Sequence, residues 1–260
     1  MQLQAEQIPL ICSALAKIRI EADLTLLPKY THFAGKPYPL GRCKEIRDLV
    51  YQMLLVHLQT KHDEVLQPLR EALNNGEKLV PVWGSLRDEY FQNAMVLGEW
   101  YIDVSNDTVN PNKPRVEIVR LSEADFHPIR SFEKFIEVAE KYWQVDVYKN
   151  TLFPALAPFF PLVCVSKESG ASWIAAANDD MIAVAMNSQF SASKQILQQL
   201  PTLPQSIAQK WLSHANAELD PLLTDAGDSE QMCIEYQDRS QDLLFRDQAV
   251  LAYLKLPKMV

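Results

Sequence analysis

The dipeptide Gly98-Glu99 separates two runs of alternating side chains, Gln92 to Leu97 and Trp100 to Ser105. A two-residue loop with glycine first suits a type II′ hairpin, whose twist matches the strands it joins. If Leu97 faces Trp100, counting back sets Ala94 opposite Asp103. One face then carries Gln92, Ala94, Val96, Tyr101, Asp103 and Ser105. The other carries Met95, Leu97, Trp100, Ile102 and Val104 and is the apolar one. Asp103 therefore points away from the better core face, which reads as a solvent-facing or loop-capping carboxylate.

Helical spacing surrounds this hairpin. Ile8 to Leu27 recurs at helical period and stops at Pro28. The stretch from Lys29 to Arg42, with Gly35, Pro37, Pro39 and Gly41, reads as a loop. A second helix begins near Cys43 and carries Ile46, Val50, Met53 and His57 on one stripe. A third spans His62 to Leu73, with Asn74-Asn75-Gly76 as its stop. Leu79 to Trp83 and Arg115 to Leu121 read as strands, and Ile129 to Trp143 as an amphipathic helix.

The segment Asp146 to Pro161 is apolar and proline-punctuated, so it cannot be a helix interior. It reads either as a junction between halves, residues 1–150 and 151–260, or as a buried loop in one continuous domain. Its Phe153, Phe159 and Phe160, with Trp173, read as core, or as a partner surface if exposed. Beyond it, Leu162 to Ser166, Ser172 to Ala177 and Met181 to Met186 suggest a three-strand meander, with Asn178-Asp179-Asp180 as a turn. Helices follow over Ser191 to Leu200 and Gln205 to Leu219, then a polar loop from Asp220 to Glu230. Cys233 to Tyr236 and Val250 to Leu256 read as two last strands. Hairpins dominate and no repeated βαβ pattern occurs. The expected fold class is therefore α+β, a largely antiparallel sheet with packed helices.

Composition narrows the function. The seven glycines among 260 residues never fall within four residues of one another. Loops that bring backbone against phosphate need closely spaced glycines, so dinucleotide and P-loop nucleotide sites are excluded, and no cofactor is expected. A net charge of −8 with scattered Lys and Arg argues against nucleic acid and against an anionic membrane surface. No apolar run reaches membrane-spanning length. Cys12, Cys43, Cys164 and Cys233 form no C-x-x-C pair, so free thiols in a reducing cytoplasm are expected. His32, His57, His62, His127 and His214 give no i, i+4 ligand pair, so no metal site is expected.

One constellation can carry chemistry. Cys43 follows Gly41-Arg42 where a loop hands over to a helix, a position at which the helix dipole favours a thiolate and Arg42 would add to it. The equally simple reading is a small buried thiol three residues before Ile46. The order Pro39-Leu40-Gly41-Arg42-Cys43, then Trp100-Tyr101-Ile102-Asp103-Val104, resembles the transglutaminase-like branch of the papain-like cysteine enzymes over residues 35–108. The resemblance implies Cys43 as nucleophile, a histidine on one hairpin strand and Asp103 as its orienting group on the next. The chain departs from that pattern: Ala94 and Gln92 occupy the histidine positions, and no histidine lies between His62 and His127. His32, in the loop before Cys43, and His57, on the Cys43 helix, are the nearby histidines, though neither follows the family's order; the base would be His32 or an unidentified group. Two functions are therefore expected: a non-catalytic protein binding a protein or peptide, or a cysteine-dependent acyl-transfer or amide-hydrolysing enzyme. The sequence sets neither partner nor oligomeric state.

Overall fold

A computed structural model describes residues 3–33, 35–214 and 220–260. The fold is α+β, with helices packed on antiparallel sheets. It divides into two compact units, Met1–Pro128 and Ile129–Val260.

In the first unit, α1 (Gln7–Leu26), α2 (Cys43–Thr60) and α3 (Gln67–Asn74) cover one face of a five-stranded sheet. Its strands are β3 (Leu79–Leu86), β4 (Tyr90–Leu97), β5 (Trp100–Asp103), β6 (Glu117–Arg120) and β7 (Phe126–Pro128). They lie in the order β6-β5-β4-β3-β7, every pair antiparallel. Leu97 pairs with Trp100 and Val96 with Tyr101, in the register expected from the hairpin. Gly98 has φ 59°, the condition of the turn. Met95, Leu97, Trp100, Ile102 and Val104 join Ile11, Leu15, Ile18, Ile46, Val50 and Leu54 in one buried core. Each such side chain contributes about 2 kcal/mol by leaving water.

The loop before α2 contains a two-strand hairpin, β1 (His32–Phe33) with β2 (Lys36–Pro37). Pro81 lies where β3 has β4 on one side only, since β7 pairs with residues 84–86 alone. A proline is tolerated there because no second ladder needs its missing N–H. At Gly84 a Cβ would collide with the His127 carbonyl. Gly84→Ala is expected to push β7 off β3 and cost about 1–3 kcal/mol, read as a lowered urea midpoint with unchanged m-value.

In the second unit, α4 (Phe132–Tyr142) precedes a three-stranded sheet of order β10-β9-β8. Its strands are β8 (Val145–Lys149), β9 (Leu162–Ser166) and β10 (Ser172–Ala175). The meander is real, but its third member is β8 rather than Met181 to Met186. Those residues lie in α5 (Asp179–Asn187), because the Asn178 side chain accepts from Met181 N at 3.0 Å and caps a helix. Asp179 and Asp180 then favour its positive end. α4 and β8 thus belong with the C-terminal unit, through β8–β9 pairing. Of the segment read as either a junction or a buried loop, residues 146–149 belong to β8 and residues 150–161 connect β8 to β9 inside that unit. Asn150 holds this connection, donating to Phe160 O at 2.8 Å and accepting from the Leu152 and Phe153 amides.

Among the described residues five α-helices follow: α6 (Ser191–Gln199), α7 (Gln205–His214), α8 (Pro221–Thr224), α9 (Ser229–Glu235) and α10 (Leu243–Leu254). The reading of a helix to Leu219 extends past the described residues after His214. The two expected last strands are helical instead. Asp228 and Asp242 cap α9 and α10, and Phe245, Ala249 and Ala252 recur at helical spacing as the buried face of α10. Phe153, Phe159 and Phe160 are buried, so they form core and not a partner surface.

Candidate functional site

Cys43 is the first residue of α2, and Asn93 and Gln92 lie side by side on β4. Asn93 Nδ2 donates to Cys43 Sγ at 3.3 Å. The orientation of that amide is forced from behind. Arg47, one turn into α2, donates from Nη2 to Asn93 Oδ1 at 3.1 Å, and a guanidinium cannot accept. Arg47 also donates to the carbonyls of Val82 and Ala94, which ties α2 to two strands. The sulfur therefore faces a carboxamide, which has no basic nitrogen to take a thiol proton.

Asp103 is fully buried at the end of β5. Gln92 Nε2 donates to its Oδ2 at 2.6 Å. Ser105 N donates to its Oδ1 at 2.7 Å, and Ser105 Oγ stands 3.0 Å away. The loop-capping reading of Asp103 describes this geometry; the solvent-facing one does not. The second sheet face is buried as well, at Gln92, Ala94, Tyr101 and Asp103. Burial pushes the Asp103 carboxyl up to about 6, against the pull of Gln92 and Ser105.

Burial also pushes the Cys43 thiol above its ordinary value, and the Asp103 and Glu45 charges act the same way. The Asn93 hydrogen bond opposes them without prevailing. Arg42 gives no help. Its guanidinium is turned to Glu45 and the His32 carbonyl and lies over the Tyr30 and Phe33 rings, at 4.7 and 4.9 Å. Desolvation here acts against the pull of the dipole at the start of α2.

Among the described residues no hydrogen bond joins Cys43 to Asp103; each meets a different amide of β4, and the Asp103 charge adds to the rise of the Cys43 thiol. His32 lies on β1 with its side chain exposed. Among the described residues no hydrogen bond or ion pair joins its imidazole to Cys43 or Asp103. Asn93, Arg47, Ser105 and Tyr101 were not singled out from the sequence. Polar Gln92-Asn93 inside an otherwise apolar strand was the available signal. Among the described residues the buried Tyr101 hydroxyl has no hydrogen-bond partner, and burial with the Asp103 charge pushes its pKa far up.

Two hollows in this unit, of about 460 and 300 Å³, are lined partly by residues of the second half of α2, such as Leu58, Thr60, Val56 and His57. α2 has 18 residues and so is about 27 Å long, which sets them away from Cys43. Among the described residues no three His, Cys, Asp or Glu side chains gather to hold a metal. Among the described residues no helix is long and apolar enough to cross a membrane. Neither a family model, nor a curated protein, nor a solved structure matches the chain.

Proposed function

We propose that this is a non-catalytic, soluble, cytoplasmic protein that binds a protein or peptide. It would use the frame of a cysteine enzyme whose base has been replaced. The observation that carries the reading is the pair of amides, Asn93 against Cys43 and Gln92 against Asp103, where a Cys–His–Asp relay would need an imidazole. A raised thiol pKa supports it, because the thiol and not the thiolate then predominates at neutral pH. Four free cysteines support a reducing compartment. Leu243, Leu244, Leu251 and Leu254, each more than half exposed on α10, support a macromolecular rather than a small-molecule partner.

The test is thiol labelling by iodoacetamide at pH 7.5, followed residue by residue with mass spectrometry. Cys43 is expected to react more slowly than a free thiol, with no selectivity over Cys12. Fast labelling of Cys43 ahead of Cys12, Cys164 and Cys233 would overturn the reading. It would favour the second one, a cysteine-dependent acyl-transfer or amide-hydrolysing enzyme. One observation speaks for that alternative: Cys43 opens a long helix within electrostatic reach of Asp103.

A further inference from the structure

α1 is apolar on two sides, and its own unit uses one of them. Ile11, Leu15, Ile18 and Ala22 lie in the buried core. On the other side Leu10 and Leu24 are 59% and 72% exposed, and Ile20 and Leu27 nearly half exposed. A helix that is apolar all round is ordinarily covered all round. The spacing of the outer stripe says what shape covers it. Leu10, Ser13, Lys17, Ile20, Leu24 and Leu27 follow one another at alternating intervals of three and four, and all six are exposed. That is the 3.5-residue repeat of a coiled-coil seam, which a second helix covers by setting knobs into holes.

Two charges decide the partner and its direction. Lys17 sits at the middle of the seam with Glu21 beside it, and among the described residues neither has an ion pair within the protomer. Two parallel copies in register would set Lys17 against Lys17, like charges at a closing seam. Two antiparallel copies crossing at the level of Ile18 and Arg19 set Leu10 on Leu27 of the second copy, Ser13 on Leu24 and Lys17 on Ile20. Each ammonium then stands beside Glu21 of the other copy, so one chain supplies both halves of the charge match. The stripe has the same spacing from either end, as a two-fold axis requires.

We propose that the outer stripe of α1 is a self-association surface that takes α1 of a second copy of this chain, antiparallel. α1 is held as a helix by its own core, so pairing costs no folding. The apolar surface continues onto α2, where exposed Val56 lines a hollow of about 300 Å³ together with Ile18 and Glu21. A stripe about 26 Å long on a single helix pair is smaller than the roughly 800 Å² per partner of a standard interface. The expected dissociation constant is therefore about 1–100 µM. The surface includes neither Cys43 nor α10, so the proposal stands whether or not Cys43 is reactive.

The experiment is sedimentation equilibrium of the intact protein from about 1 to 300 µM, where a monomer–dimer equilibrium is expected. Leu24→Glu enters the seam twice in a two-fold dimer and is expected to weaken it about a hundredfold. Leu251→Glu, on α10, is expected to leave it unchanged. Lys17→Glu and Glu21→Lys are each expected to weaken pairing about tenfold, and the double variant to restore it, which a merely sticky surface would not show. In a Cys12→Ser background, Leu10→Cys protomers oxidised together with Leu27→Cys protomers are expected to join to each other and neither to itself. A protein monomeric over the whole range overturns the proposal. So does a dimer that Leu24→Glu leaves intact or Leu251→Glu dissolves, a double charge variant without rescue, or joining of Leu10→Cys to itself.

Discussion

Arg19→Ala is expected to destabilise the first unit by about 3–5 kcal/mol. Arg19 is fully buried on α1, yet it makes four polar contacts. Its Nε donates to Asp23 at 2.7 Å, and its Nη1 to Val104 O and Asp107 Oδ1, both at 2.8 Å. Its Nη2 lies 3.4 Å from Asp107 Oδ2. Desolvation alone would lower its pKa, but the two carboxylates prevail and raise it. The large loss comes from what is left behind. The Asp107 side chain is 8% exposed and would keep a charge with little water. Its other basic neighbour, Arg115, stands 3.8 Å away and is half exposed. Asp23 would retain its bond from the Tyr38 hydroxyl. Chemical denaturation reads the effect as a drop in urea midpoint. A loss under 1 kcal/mol would mean that the buried ion pair contributes no more than a surface one.

Phe159→Ala should remove a similar amount from the second unit, about 3–5 kcal/mol. Phe159 has no exposure, and its ring meets Phe190 at 4.9 Å, Phe245 at 5.4 Å and Phe160 at 6.2 Å. The Phe190 and Phe245 contacts are edge-on, at 72° and 71°, which suits the quadrupoles of the rings. Neighbours fixed by α6 and α10 cannot collapse into the hole, so both lost transfer energy and a cavity contribute. Phe159→Leu keeps most of the volume and is expected to cost less than half as much. Thermal unfolding of both variants, followed by near-UV circular dichroism, provides the comparison. Equal losses for alanine and leucine would show that ring geometry, not volume, sets the stability.

The sequence made the first unit largely readable because its signals are local. The Gly98-Glu99 turn fixes strand register within a few residues, and Cys43 does open α2. The second unit was harder, since its short apolar windows fit either period. Met181 to Met186 resembles a strand until Asn178 is recognised as a cap. Val250 to Leu256 resembles one until Phe245 is counted with it. β7 and β8 are short strands, of three and five residues, that exist through their partners.

Of the candidate site, the place of Cys43 at the start of α2 and of Asp103 on the second hairpin strand was legible from turn residues and alternation. The supporting set was not. Arg47 meets Asn93 across 46 residues of chain, a contact that only tertiary packing creates. Proximity in sequence is what points to His32. β1 instead presents it outward, while its backbone carbonyl receives Arg42.

The bond between Arg19 and Asp107 spans 88 positions. A ribosome adds roughly 5–20 residues each second. The first helix therefore waits about 4–18 s after Arg19 is made before Asp107, its counter-charge beyond the nearby Asp23, exists. During that interval the guanidinium must stay hydrated, so α1 cannot dock finally on its sheet. Any factor that shields a nascent amphipathic helix would find it available in that window, and slow codons before position 107 would lengthen it.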